Sequence, residues 1–198
     1  MLTYDDFKTK IYGILKARLK NHVFNMCDID SLVYETYIDI QNEVVLGYDK
    51  YQYTIDGNYE IEIPKEHDLG IRNAIYDVYD ESMNTIFCKF TYPSFLTAMA
   101  KDATFIDNNI GENIYFACSI KYDLDKLPSH LYSEILEAII SGVIHKVYSS
   151  IPSQIDSAIE NREYQRYYQA KQMLKNRFPQ MIGTNKYPCE RKDSEWLI

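Results

Sequence analysis

The chain changes its hydrophobic period twice. Near the start, Phe7, Ile11, Ile14, Leu15 and Leu19 recur at helical spacing, with Lys8, Lys10, Lys16 and Lys20 mostly off that stripe. Thr3 and Asp6 make the capping-box pattern that opens such a helix. Asp28 or Asp30 can cap a second helix, whose stripe is Ile29, Leu32, Val33, Tyr37, Ile40 and Val44 and which Gly47 is placed to stop. The period then shortens to two. Tyr51, Tyr53 and Ile55, then Tyr59, Ile61 and Ile63, flank Asp56-Gly57-Asn58, which predicts a β-hairpin ended by Pro64. Residues 71–79 and 84–90 read as a second strand pair, Pro93 to Lys101 as a short helix, and residues 113–122 as a last strand. Helical spacing returns from Pro128 or Ser129 to Pro152, and again from about Ser153 to Phe178, before Pro179.

This order predicts an α+β protein: a four-helix antiparallel bundle interrupted by a β-rich insertion between helices two and three. Residues 1–47 and 124–178 would be the bundle, 48–123 the insertion, and 179–198 an extended C-terminal arm. The arm has no period and two prolines, yet it finishes on Trp196-Leu197-Ile198, an apolar anchor.

The third predicted helix carries the candidate chemistry. At 100° per residue, His130, Glu134, Glu137, Ser141 and His145 fall on one narrow polar stripe. Leu131, Ile135, Ile139, Gly142, Val143 and Val147 lie within an apolar arc about 200° wide. His130, Glu134 and Glu137 could share a cation, and a small metal-dependent helical enzyme would use that trio. Di-metal bundles, however, point ligands inward from several helices, and no second motif of that type exists here. His145 lies eleven residues from Glu134, about 16 Å along the axis, too far to join one ion. The reading preferred on this pattern is a solvated stripe with no metal, cofactor or catalytic set. An arc so broad must pack on at least two sides, and Gly142 suggests close approach of another backbone there. In the fourth helix, Ile155, Ala158, Ile159, Tyr167, Ala170, Met173 and Leu174 form the apolar stripe. Arg166 falls near its middle, needing Glu35 or Asp39 as partner or else reaching out past a loose point.

Charge sharpens the picture. The chain carries a formal −8, with residues 1–27 at +3 and residues 28–82 at −11. An acidic middle disfavours sequence-specific nucleic-acid binding, which needs a cationic footprint. Nineteen tyrosines suit extensive interfaces, although an AT-rich genome gives the same excess. Cys27, Cys88, Cys118 and Cys189 are widely separated and fit reduced thiols better than a zinc module or a disulfide framework. Asp5 and Asp6 disfavour a signal peptide, and no apolar run reaches membrane-spanning length.

The third and fourth helices carry a resemblance. Leu127, Pro128, Tyr132, Ile135, Ala138, Gly142, Val147 and Tyr148, followed by Ala158, Tyr167 and Ala170, resemble the helix pair of head-to-tail adaptor proteins. These are the connector rings of short-tailed, podovirus-type phages, of the tail tubular protein A type, and the composition together with the long β insertion resembles the crAss-like phages in particular. The first helix pair and the stretch ending in EIEIP fit the same family. The resemblance implies a virion protein in the neck, assembled in the host cytoplasm as a homo-oligomeric ring of roughly twelve copies. It implies as partners the portal protein, the tail nozzle or further ring proteins, and viral DNA that passes without sequence-specific binding. No membrane is involved. Tyr187, Trp196, Leu197 and Ile198 would dock the arm on the portal, while Ile135, Ile139, Gly142, Val143, Arg166 and Tyr167 would pack the helices or the oligomer. A tail-completion or second ring protein of the same virion is the alternative within that setting.

Overall fold

The computed structural model describes residues 3–19, 24, 27–150 and 157–177. Two compact units emerge, one from residues up to Leu46 and from Tyr122 onward, the other from Gly47–Lys121.

The helical unit begins with α1 (Tyr4–Arg18), whose capping box forms as its residues dictate: Thr3 Oγ1 accepts from Asp6 N, and Asp6 accepts from Thr3 N. Helix α2 (Ile29–Glu43) is capped by Asp28, which accepts from Ser31 N. It ends at Glu43, before the predicted Gly47, because Val44 turns extended and both Val44 and Leu46 are buried. Helix α4 (Tyr132–Ser150) and helix α5 (Ser157–Arg177) complete this unit. Eleven of the nineteen α4 residues are buried. α1, α2 and α5 all pack against it.

The second unit holds β1 (Tyr48–Thr54), β2 (Glu60–Glu62), β3 (Glu66–His67), β4 (Gly70–Tyr79), β5 (Phe90–Ser94), β6 (Thr97–Ala100), helix α3 (Ala103–Asn108) and most of β7 (Asn113–Tyr122). One sheet has the order β1-β7-β4-β3 and the other β2-β6-β5. A buried cluster of Ile55, Ile61, Ile75, Phe90, Ile106, Phe116 and neighbouring side chains fills it.

The predicted fold class is corrected accordingly. The chain is a mixed α/β protein, with five α-helices among the described residues and a curled antiparallel half-barrel sheet, not a four-helix antiparallel bundle with a β insertion. Apolar stripes reveal which face of a helix is buried, not how many neighbours cover it. Nor do they reveal that the strands close around a core of their own.

Local corrections follow the same logic. Residues 51–55 and 59–63 do not form a hairpin, because β1 pairs with β7 (Tyr53 opposite Ile114) and β2 with β6 (Ile61 opposite Ala98). Ile55 N donates to Glu112 O, continuing the β7 side. The Asp56-Gly57-Asn58 turn instead hands the chain from one sheet to the other: Asn58 N donates to Asp56 Oδ1 and Gly57 takes φ +93°. Of the second predicted pair, β4 forms, whereas residues 84–90 contribute only a bridge from Thr85 to Tyr79 and a 3₁₀ turn at Phe87–Lys89 before β5 begins. The helix predicted from Pro93 to Lys101 is the β5–β6 hairpin. Pro93 fits there because β5 is an edge strand with an irregular register between Thr91 and Ser94. The short helix comes later, as α3, capped by Asp102 through Thr104 N. Pro152, Pro179 and the arm with Tyr187, Trp196, Leu197 and Ile198 lie outside the described residues, as do His22 and Cys189.

Candidate assembly surface

The polar stripe of α4 fastens helices together. Glu134, half-buried, is ion-paired with Arg177 at the end of α5. Glu137 accepts from Ser141 Oγ at 3.0 Å and lies 3.5 Å from Arg18 of α1. Ser141 itself is fully buried, which the predicted solvated stripe did not anticipate. His145 leans on the Tyr164 ring, with centroids 5.1 Å apart, and His130 is exposed. The trio His130, Glu134 and Glu137 is thus divided between solvent and two different arginines. Among the described residues, no three His, Cys, Asp or Glu side chains converge as a metal site would require.

The strongest polar junction of the unit is centred on Glu163, a residue that sequence reasoning missed. Only 1% exposed, it accepts from Arg18 Nη2 at 2.5 Å, Arg162 Nε at 3.1 Å and Arg166 Nη1 at 3.2 Å. A buried carboxylate is tolerable only with such partners. Of the two readings open for Arg166, the buried one paired with Glu35 or Asp39 fails and the outward one fits: its side chain is 47% exposed, and it meets Glu163, one turn away. Those two acids face Lys146, at 3.7 and 2.7 Å. The signal for Glu163 was available, since it sits four residues from both Ile159 and Tyr167 on the apolar stripe.

Lys171 makes the second buried tie, reaching Glu43 Oε1 at 2.5 Å and lying over the Tyr167 ring at 4.5 Å. The Lys171 hydrogen bond holds the Glu43 carboxyl below the usual glutamate range, against partial desolvation. Tyr167 is buried, and desolvation, then the charges of Asp39 and Glu43, push its phenol well above its ordinary value.

Ile135, Ile139, Gly142 and Val143 all lie in the core of this unit. A Cβ added at Gly142 would sit 2.5 Å from Thr36 Cγ2 and 2.9 Å from Tyr167 Cε2. The close approach anticipated at Gly142 is therefore made by side chains of α2 and α5. Of the positions that carry the adaptor resemblance, Leu127, Tyr132, Ile135, Ala138, Gly142, Val147, Tyr148 and Tyr167 are buried. That pattern records packing.

A groove of about 390 Å³ opens between α1, α2 and residues 122–125. Phe7, Ile11, Val33 and Tyr37 form its buried floor, and Tyr37 Oη donates to Tyr122 O at 2.9 Å. Tyr34, 57% exposed, Tyr12 and Ile38 stand at its mouth with Asp30, Asp123 and Asp125. Lys8 pairs with Asp30 at 2.9 Å and Lys126 with Asp123 at 3.0 Å. A hydrogen bond from Tyr12, then Lys8, holds Asp30 below the ordinary aspartate range.

Burial pushes the Cys118 thiol up to about 12, which removes it as a nucleophile. Among the described residues no helix is long and apolar enough to cross a membrane. No protein-family model matches the chain, and no curated protein matches it in sequence.

Proposed function

We propose that the protein is a structural subunit of a virion neck: a non-enzymatic ring protein that joins the capsid portal to the tail and lines the DNA passage. The observation that carries this reading is the use of the α4 and α5 ionisable groups. Glu134, Glu137 and Glu163 each meet an arginine from another helix, so the one constellation that resembled a site cross-braces the helices. An enzyme needs such groups aimed at a substrate in a shared cavity. A ring subunit needs a braced body and broad tyrosine-rich surfaces, and Tyr34, Tyr164 and Tyr168 are exposed here.

In this reading residues 1–47 and 124–178 form the ring wall, residues 48–123 reach towards adjoining rings, and Tyr187, Trp196, Leu197 and Ile198 contact the portal. The acidic stretch 28–82 suits a conduit that DNA slides past without sticking. The test is immunogold labelling of purified particles with an antibody raised against the chain. Gold at the neck, at a stoichiometry of several copies per particle, is the expected result. Particles that lack the chain overturn the reading.

A further inference from the structure

Helix α5 has an outer face unlike those of its neighbours. Its buried side is centred on Glu163, Tyr167, Lys171 and Leu174. At 100° per residue, the opposite side presents Asn161, Gln165, Tyr168, Gln169, Gln172 and Asn176, without a single charge. Arg162 borders that strip on one side and half-buried Lys175 on the other; the exposed charges of this helix, Arg162, Arg166 and Arg177, are all cationic and each bonded to an acid. By contrast, α1 exposes Asp5, Asp6, Lys10 and Lys16, and α2 exposes Asp30, Glu35 and Glu43.

A solvated helix in a chain of net −8 turns its charges outward. The charge-free strip, with Tyr164 and Met173, 72% exposed, just beyond the Lys175 and Arg162 that border it, has the composition of a contact: Tyr, Met and Arg are enriched there, and Glu and Asp depleted. Amide side chains both donate and accept, so a polar partner can satisfy them when water is excluded.

The α1–α2 groove offers the complement. Its mouth is aromatic and its rim net acidic, with Asp30, Asp123 and Asp125 against Lys8 and Lys126, opposite in sign to the guanidiniums beside the α5 strip. We propose that the uncharged face of α5 on one copy seats on the α1–α2 groove of the next. Two different surfaces then meet, which is the head-to-tail contact that closes a ring. The inference rests on the ring reading above and adds the two surfaces that carry it.

Sedimentation velocity of the full chain, at concentrations up to about 1 mM, tests it. The wild type grows with concentration. Gln165→Glu/Gln169→Glu, which places acids on exposed positions, weakens association more than about tenfold, and Asp123→Lys/Asp125→Lys does the same. Circular dichroism confirms that both variants are folded. An equimolar mixture of the two gives a one-to-one dimer that grows no further, because each variant brings one intact surface. A wild-type chain that stays monomeric throughout overturns the contact, as does a mixture that stays monomeric. Variants that associate like the wild type overturn it too, while leaving the ring reading intact; only absence from the particle neck removes that reading.

Discussion

The helical unit and the β unit are held by different forces. In the helical unit, ion pairs link residues far apart in sequence: Arg18 with Glu163, Lys171 with Glu43, Arg177 with Glu134. Two of these, at Glu163 and Lys171, reach into the interior. In the β unit the core is aliphatic and aromatic, with Phe90 packed edge-on against Phe105 and Phe116, and its buried carboxylate, Asp77, accepts from neutral groups, Val78 N, Tyr79 Oη and Thr85 Oγ1. Its principal ionic feature lies on the four-stranded sheet, where Arg72 donates to Asp49 at 2.6 Å and to the carbonyls of Pro64 and Glu66. Buried charge adds little net stability but penalises every arrangement that leaves a partner unpaired. Apolar contacts stabilise without fixing register as strictly. The comparison teaches that the helices are positioned by charge and the strands by volume.

The largest effect is expected where volume decides. Phe116→Ala should cost about 3–5 kcal/mol in urea denaturation, with little dependence on salt. Glu163→Ala should cost about 3 kcal/mol, because three guanidiniums lose their shared acceptor; salt should reduce only the part owed to the exposed Arg162 and Arg166, since a buried pair is screened little. A Glu163→Gln variant as stable as the wild type would erase the distinction between the units. Gly142→Ala should cost about 1–3 kcal/mol despite its better helix propensity, since the new methyl overlaps Thr36 and Tyr167. Thr36→Ser removes the nearest clashing atom, Cγ2, and should recover part of that cost in the double variant.

Thr36→Val alone should stabilise by about 1 kcal/mol, because Thr36 Oγ1 is buried with no hydrogen-bond partner among the described residues. The smallest effect concerns pH. The folded-state pKa of Glu43 lies below its ordinary 4.5, so its contribution is fully present above that value and disappears as pH falls through the folded pKa. Glu43→Gln should therefore flatten the acid limb of the stability curve, read by thermal unfolding between neutral pH and the acid range.

Much of the helical unit was legible in the sequence. The Thr3–Asp6 capping box, the Asp28 cap and the wide apolar arc of α4 are local patterns, and local patterns can be read from neighbours in the chain. Alternation at 51–63 marked strands correctly but could not name their partners. Ile55, just past the end of β1, and Ile61, in β2, face one core although those strands belong to different sheets, so the same pattern suits a hairpin equally well. The Glu163 junction was harder. Its main partner, Arg18, is 145 residues away, and the stripe drawn through Ala158 and Met173 displaced the buried centre of α5 towards Arg166. Both residues are exposed, and shifting the stripe onto Ile159, Glu163, Tyr167, Ala170 and Leu174 brings Glu163 inward.

The claim on which the rest depends is that ionisable groups of α4 and α5 brace helices against one another. A double-mutant cycle on Arg18→Met and Glu163→Leu, read by urea denaturation at low and high salt, tests it most directly. A favourable coupling of about 1–3 kcal/mol that largely persists at high salt, because a buried pair is screened little, is the predicted result. Additive losses, equal at both salt concentrations, would contradict it.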